Sequence, residues 1–216
     1  MLNDRNCKLV GSFVQHLEVT LEQGEEFFAE KGSLIYIEEG ISKDSTFTSG
    51  SLGGLIRAKL SGESLFILRM RNTTRDPRKL CIGSTYGLHP VRLESDSLIC
   101  HRGVYVASSR KVNVSTKLSI SGFTGGMGFL LQKIEGTATV FLETKGTPIT
   151  VTLPPGRTVE IDEDHIIALQ GIPESRMSAS WSLGNVLGGE GFSMLRVTGP
   201  GQVFLSPGKF QPVLAQ

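Results

Sequence analysis

One glycine-rich block recurs along the chain, and this recurrence constrains the fold more than any other feature. The block at 188–208 reads GGEGFSMLRVTGPGQVFLSPG, and the block at 125–146 reads GGMGFLLQKIEGTATVFLETKG. Sliding one block onto the other places Gly136 on Gly199 and 140–142 on 203–205. A looser copy, GGLIRAKLSGESLFIL, occupies 53–68. Similarity of this kind is the signature of a chain built from repeated units.

The segments that precede each block also correspond to one another. Each opens with apolar residues at every second position, which predicts a half-buried strand. A turn, a second strand and a tight turn follow, with glycine or aspartate in the turns, where positive φ is tolerated. A third strand then begins at corresponding positions, namely Leu34, Tyr105 and Ile166. The alternating residues are Leu17, Val19 and Leu21 in the first segment, Val91 and Leu93 in the second, and Ile149, Val151 and Leu153 in the third.

The stretch from Glu22 to Glu30 could also be interpreted as an acidic helix. Its correspondence with the other two copies favours strand, turn and strand. Two further stretches, 112–121 and 177–185, are predicted strands, and no segment keeps a helical period over a full helix length.

Composition and charge indicate an ordinary globular chain. The 26 glycines favour a turn-rich all-β protein, and a net charge of +1 gives no overall attraction to nucleic acid or membrane. The beginning of the sequence does not resemble a signal peptide or a mitochondrial presequence, and no apolar run is long enough for a spanning helix. Three widely spaced cysteines fit a reducing compartment. We therefore expect a cytoplasmic protein.

Several stretches resemble a known family. They are KGSLIYIEEGI at 31–41, DEDHIIAL at 162–169 and TGPGQVFLSPG at 198–208. Together with the glycine blocks they make the chain similar, from about Val14 to Leu205, to the altered-inheritance-of-mitochondria protein family. The resemblance implies three domains like the tryptophan RNA-binding attenuation protein, set in a ring. The family has no established enzymatic activity, so the resemblance does not point to one. The polar, basic stretch at 72–90 departs from the family pattern.

We therefore predict an all-β fold with three tandem short double-stranded β-helix repeats around a pseudo-threefold axis. The predicted units are an N-terminal extension at 1–13, repeats at 14–85, 86–146 and 147–208, and a C-terminal tail at 209–216. They are expected to form one compact unit.

The glycine blocks do not predict a nucleotide site. A dinucleotide-binding loop needs a third glycine and a following helix, and a phosphate-binding loop needs Gly-Lys-Ser/Thr. Both blocks run into predicted strands instead. Glycines that recur three times are better explained by turns and close packing of repeats.

No pattern predicts catalysis or metal binding. Cys100 and His101 are adjacent and so would point to opposite faces of a strand, and no metal-ligand spacing occurs. The sequence has no nucleophile elbow, and Asp162–Asp164 falls in a predicted turn. We expect no metal, no cofactor and no catalytic residue.

The segment RMRNTTRDPRK at 69–79 is the strongest candidate for ligand binding. An exposed basic cluster of this kind could bind RNA or anionic lipid, although it lacks interleaved aromatic residues for base stacking. The candidate polyanion-binding residues are Arg57, Lys59, Arg69, Arg71, Arg75, Arg78 and Lys79.

The expected function is that of a non-catalytic binding or scaffolding protein. Unpaired sheet edges and the apolar residues of the tail favour a homo-oligomer, with a protein partner as a further expectation. Polyanion binding through 69–79 is the alternative. The third hypothesis is a small-molecule or enzymatic site in a pocket on the pseudo-threefold axis.

Overall fold

The computed structural model describes residues 6–47, 66–115, 131–181 and 193–210, and the prediction of an all-β fold is confirmed. Short 3-10 helices lie at Lys31–Ser33, Glu163–His165 and Glu174–Arg176. The strands are β1 (Cys7–Val10), β2 (His16–Leu21), β3 (Glu26–Glu30), β4 (Leu34–Ile37), β5 (Ile41–Phe47), β6 (Phe66–Asn72), β7 (Arg78–Gly83), β8 (Gly87–His101), β9 (Tyr105–Ser108), β10 (Asn113–Ser115), β11 (Leu131–Thr144), β12 (Ile149–Leu153), β13 (Thr158–Asp162), β14 (Ile166–Gln170), β15 (Met177–Trp181), β16 (Ser193–Thr198) and β17 (Gly201–Leu205).

The strands form several antiparallel sheets. One sheet has the order β1-β2-β7-β4, and another has the order β13-β16-β15. The largest has the order β12-β17-β14-β8-β11-β9-β3-β6-β5, with β10 added beside β11. Because β1 pairs with β2, part of the predicted N-terminal extension belongs to the first sheet.

The stretch from Glu22 to Glu30 is strand, turn and strand rather than helix. Leu17, Val19 and Leu21 of β2 are buried, whereas Glu18 between them is exposed. Gly24 occupies the following turn with a φ of 76°, and β3 begins at Glu26. The period-2 pattern therefore predicted the backbone correctly, because one face of β2 lies on a core and the other faces solvent.

The central strands β8 and β11 pair along almost their whole lengths. The register shifts between Gly136 and Thr137. Gly136 there has a φ of 146°, and Ser95 on the partner strand has a φ of 66°. This bulge divides the β8–β11 pair, because β10 pairs with β11 before it and β9 pairs with β11 after it.

Among the residues that the structure describes, buried apolar side chains form three cores. The N-terminal core contains Leu17, Val19, Leu21, Phe27, Ala29, Ile41, Met70, Leu80, Ile82, Leu88, Val106, Ala107 and Phe141. The central core includes Phe28, Val91, Leu93, Leu98, Cys100, Tyr105, Ile134, Val140, Leu142, Ile167, Ala168, Phe204 and Phe210. The C-terminal core contains Ile99, Leu131, Leu153, Ile161, Ile166, Leu169, Ile172, Met177, Leu195, Val197 and Val203.

The two further predicted strands are found where the structure describes them. β10 occupies 113–115 and β15 occupies 177–181. Residues 116–121 and 182–185 of those predictions lie outside the described residues. In the described part of the chain, no helix has the length and apolar character needed to cross a membrane.

Candidate functional site

The predicted basic segment covers the end of β6, the start of β7 and the loop between them. Arg69 and Arg71 lie on β6, Arg78 and Lys79 begin β7, and Arg75 lies in the loop between these strands. Arg57 and Lys59 lie outside the described residues. The structure therefore places the five described basic residues on β6, on β7 and in the loop that joins these two strands, which belong to different sheets.

Asn72 determines the shape of this loop, and sequence reasoning missed it. Its side chain is fully buried. Nδ2 donates hydrogen bonds to the carbonyls of Leu21, at 2.8 Å, and Asp76, at 2.9 Å. Oδ1 accepts one bond from the Thr74 backbone N–H and another from the Thr74 hydroxyl, both at 2.8 Å. The available signal was the run Asn-Thr-Thr-Arg-Asp-Pro, since Asn and Asp organise turns through such bonds.

Carboxylates from neighbouring strands neutralise part of the basic segment. Arg69 donates a hydrogen bond from Nη2 to Glu26 Oε1 on β3. The Arg71 Nε atom lies 3.9 Å from the same oxygen. The hydrogen bond to Glu26 raises the pKa of Arg69, and Asp44 on β5 contributes to the same shift. One carboxylate thus faces two guanidinium groups.

Of the remaining basic residues, Arg75 and Lys79 are exposed and Arg78 is half-buried. Arg78 Nη2 lies 3.8 Å from Asp76 Oδ2, and that carboxylate is 80% exposed. The Lys79 backbone N–H donates to Glu38, and its side chain is exposed. Arg75 is exposed and forms no ion pair within the described residues. Arg71, Arg75 and Lys79 therefore offer the accessible positive charge of this surface.

The histidines and cysteines do not form a metal centre in the part of the chain that the structure describes. Burial lowers the pKa of both His89 and His101. Burial also raises the pKa of the Cys100 thiol to about 12. His165 instead has a structural contact, since its Nδ1 lies 2.7 Å from the Ser206 carbonyl oxygen.

The acidic run Asp162–Asp164 forms a structured turn. Asp162 Oδ1 accepts a hydrogen bond from the Asp164 backbone N–H at 3.1 Å, and Oδ2 accepts one from Lys209 at 2.7 Å. Burial, together with the charges of Asp164 and Asp162, raises the pKa of Glu163 to about 7. The hydrogen bonds agree with the predicted turn role of these acids.

An apolar groove of about 340 Å³ lies beside this turn. Its walls come from β12, β13 and β17, with His165 at one end. The aliphatic side chains that line it are Val151, Val159, Ile161, Val203 and Leu205. Glu160, Asp162 and His165 also line the groove, but most of its lining surface is apolar, which suits an apolar side chain better than a polar reactant.

Comparison with known proteins agrees with this architecture. An uncharacterized Streptococcus pyogenes serotype M6 protein, M6_Spy0233, is 25% identical over 165 residues, which cover 70% of this chain and 64% of that protein. The X-ray structure of protein SPYM3_0169 from Streptococcus pyogenes has a similar fold, with a TM-score of 0.67 and 21% identity over 94% of this chain and 93% of that one. The family model described as mitochondrial biogenesis AIM24 matches residues 7–208, which confirms the resemblance found in the sequence. Because this match spans nearly the whole chain, the chain belongs to the AIM24 family.

Proposed function

We propose that this protein is a non-catalytic scaffolding protein that acts as an oligomer. Its chain is built from three copies of one β unit around a pseudo-threefold axis, with units at 14–85, 86–146 and 147–208 and a tail at 209–216. In this proposal the three units supply a rigid frame, and the frame's free edges supply the contacts for assembly in the cytoplasm.

The recurrence of one strand-pairing pattern carries the proposal. In the first unit β2 and β4 pair with β7, while β3 and β5 pair with β6. In the third unit β12 and β14 pair with β17, while β13 and β15 pair with β16. In the second unit β8 corresponds to the first two strands of this pattern, and β11 corresponds to the last two. β8, β9 and β10 all pair with β11.

The glycines of the repeated block support the same proposal. Gly136 lies at the bulge that divides β11, and Gly199 lies between β16 and β17. Gly136 thus divides β11 into two halves, and Gly199 separates β16 from β17 at the corresponding place in the third unit. A Cβ atom on Gly199 would lie 2.5 Å from the carbonyl oxygens of Leu153 and Pro154. Close backbone approach therefore explains the glycine without a ligand.

The chemistry of the described side chains favours binding over catalysis. Burial raises the pKa of the Cys81 thiol as well as that of Cys100, so neither is an activated nucleophile. Asp162 forms an ion pair with Lys209, whose Nζ lies 2.7 Å from Oδ2 of the carboxylate. The groove beside β13 has a mostly apolar lining, which favours apolar contact over the convergent polar groups that the third hypothesis, a small-molecule or enzymatic site on the axis, would need.

The test is the mass of the protein in solution. Light scattering after gel filtration, and native mass spectrometry, should be recorded over roughly two decades of protein concentration. We expect one defined oligomer and no small-molecule adduct. A monomer at every concentration would overturn the oligomeric role, and a stoichiometric small-molecule adduct would favour the third hypothesis.

Polyanion binding is the second candidate function. Arg71, Arg75 and Lys79 are exposed around the β6–β7 connection, and this observation favours it. The triple variant Arg71→Glu, Arg75→Glu, Lys79→Glu should lose retention of RNA or of anionic vesicles, and the wild-type retention should fall steeply with salt. Unchanged retention in the triple variant would overturn this candidate. A control with the same change in net charge replaces Arg92, Arg110 and Lys111 by Glu.

A further inference from the structure

Two seams inside the chain show how one unit joins the next. At the first, β3 pairs with β9, with Ala29 opposite Ala107. At the second, β8 pairs with β14, with Cys100 opposite Ala168. In both seams the second strand of one unit pairs with the third strand of the following unit. The correspondence of Leu34, Tyr105 and Ile166 in the sequence places these opposed pairs at equivalent positions.

Each seam also completes a core. Val106 and Ala107 of β9 are buried in the N-terminal core, although the remainder of that core comes largely from the first unit. Ile167 and Ala168 of β14 are buried in the central core in the same way. The third strand of each following unit therefore supplies apolar side chains to the core of the unit before it.

The corresponding strand of the first unit, β4, does not pair with the second strand of another unit within the described residues. Within the described residues, β4 pairs only with β7, and β13 pairs only with β16. Ile35 corresponds to Val106 and Ile167, yet it is 60% exposed, and the neighbouring Tyr36 is 47% exposed. The chain thus presents an apolar strand edge on β4 and an open strand edge on β13.

The groove beside β13 is the complementary surface. By the pattern of the two seams, the C-terminal core should receive the equivalents of Val106 and Ile167, but none of the described residues of β4 belongs to it. The groove over this core is lined by Val151 and Val159, which are only partly buried. An apolar side chain from another strand would fill it.

We propose that β4 of one copy of this chain pairs with β13 of a second copy and places Ile35 in the groove. The equivalence with the two seams sets Tyr36 opposite Ile161 in an antiparallel pairing. This inference rests on the proposed oligomeric function and identifies its contact surface. Because the two edges differ, the contact is head-to-tail, and copies assemble into a closed ring or an open chain.

The test uses two variants that each disable one edge. Ile35→Lys puts a charge on the β4 edge, where the side chain is exposed in the single chain, so folding should be retained. Val159→Lys puts a charge in the groove, and Val151→Lys is a second groove variant in case the first does not fold. Phe13→Lys, at a site that is 91% exposed and away from both edges, is the matched control.

Each edge variant alone should be monomeric, with an apparent dissociation constant raised at least about tenfold. An equimolar mixture of Ile35→Lys and Val159→Lys should form a one-to-one dimer and nothing larger, because one intact β4 edge meets one intact groove. The wild type and Phe13→Lys should remain oligomeric. A symmetric contact between identical surfaces could not restore a dimer from two disabled variants.

Other outcomes separate this inference from the proposed function. An oligomeric wild type whose size is unchanged by Ile35→Lys would overturn the β4–β13 contact and leave the oligomeric function in place. A wild type that is monomeric at all concentrations would overturn both. A monomer whose β4 and β13 amides are strongly protected from hydrogen exchange would indicate closure within one chain, which also overturns the contact between copies.

Discussion

Replacing Asn72 by alanine should cause an unusually large loss of stability for the removal of a single buried polar side chain. Four hydrogen bonds would be lost, and the carbonyl of Leu21, a residue with no solvent exposure, would be left without its side-chain donor. An unsatisfied buried carbonyl costs about 1–3 kcal/mol, and each bond near the surface contributes about 0.5–1 kcal/mol. We expect Asn72→Ala to lower the free energy of unfolding by about 3 kcal/mol, or the Tm by roughly 6–12 °C.

Urea unfolding followed by circular dichroism measures this loss. Asn72→Asp keeps an acceptor for Thr74 but cannot donate to Leu21, and it buries a charge, so at neutral pH it should be at least as destabilising. Thr73→Ala is the matched control, since the exposed Thr73 hydroxyl donates one bond to the Gly40 carbonyl, and it should cost less than about 1 kcal/mol. A loss below about 1 kcal/mol for Asn72→Ala would show that water replaces these bonds and would refute the reasoning.

Two further predictions concern the backbone and the acidic turn. Gly201→Ala should destabilise the fold by about 2–4 kcal/mol in urea unfolding, because its φ is 153° and the new Cβ would lie 2.6 Å from the Gln170 carbonyl oxygen; Gly32→Ala, with open space around it, is the control, and equal stability of both variants would contradict the prediction. Glu163 has its pKa raised to about 7 in the folded protein from 4.5, so its charge opposes folding progressively as the pH rises through this interval. Glu163→Gln should therefore raise the free energy of unfolding at pH 8 by about 1 kcal/mol, allowing for solvent screening, and leave it unchanged near pH 4. An equal effect at both pH values would contradict the raised pKa of Glu163.

The positive charges of the candidate basic surface could be predicted from the sequence, but the carboxylate that partly neutralises them could not. The run of arginines is local and was visible in the sequence, whereas the structure places Arg69 and Arg71 on β6 and Lys79 on β7. The carboxylate that faces Arg69 and Arg71 belongs to Glu26, on another strand far away along the chain. Since cross-strand neighbours depend on pairing between distant segments, the net charge of the surface could not be calculated from the run itself.

Asn72 illustrates the same limit. Its sequence neighbours indicated a turn, but its burial depends on β2, whose Leu21 carbonyl accepts its hydrogen bond. The number of bonds that a polar side chain makes follows from the segments packed around it.

The sequence alone indicated the alternating strands such as β2 and β12, because alternation and turn residues act over a few positions and reflect which face of each strand is apolar. It also placed Ile35, Val106 and Ile167 at equivalent positions. Only the tertiary structure decided that Val106 and Ile167 are buried at seams while Ile35 lies open on the edge of β4. The physical reason is that burial of a strand's outer edge requires a partner strand from a distant segment, and within the described residues β4 pairs only with β7.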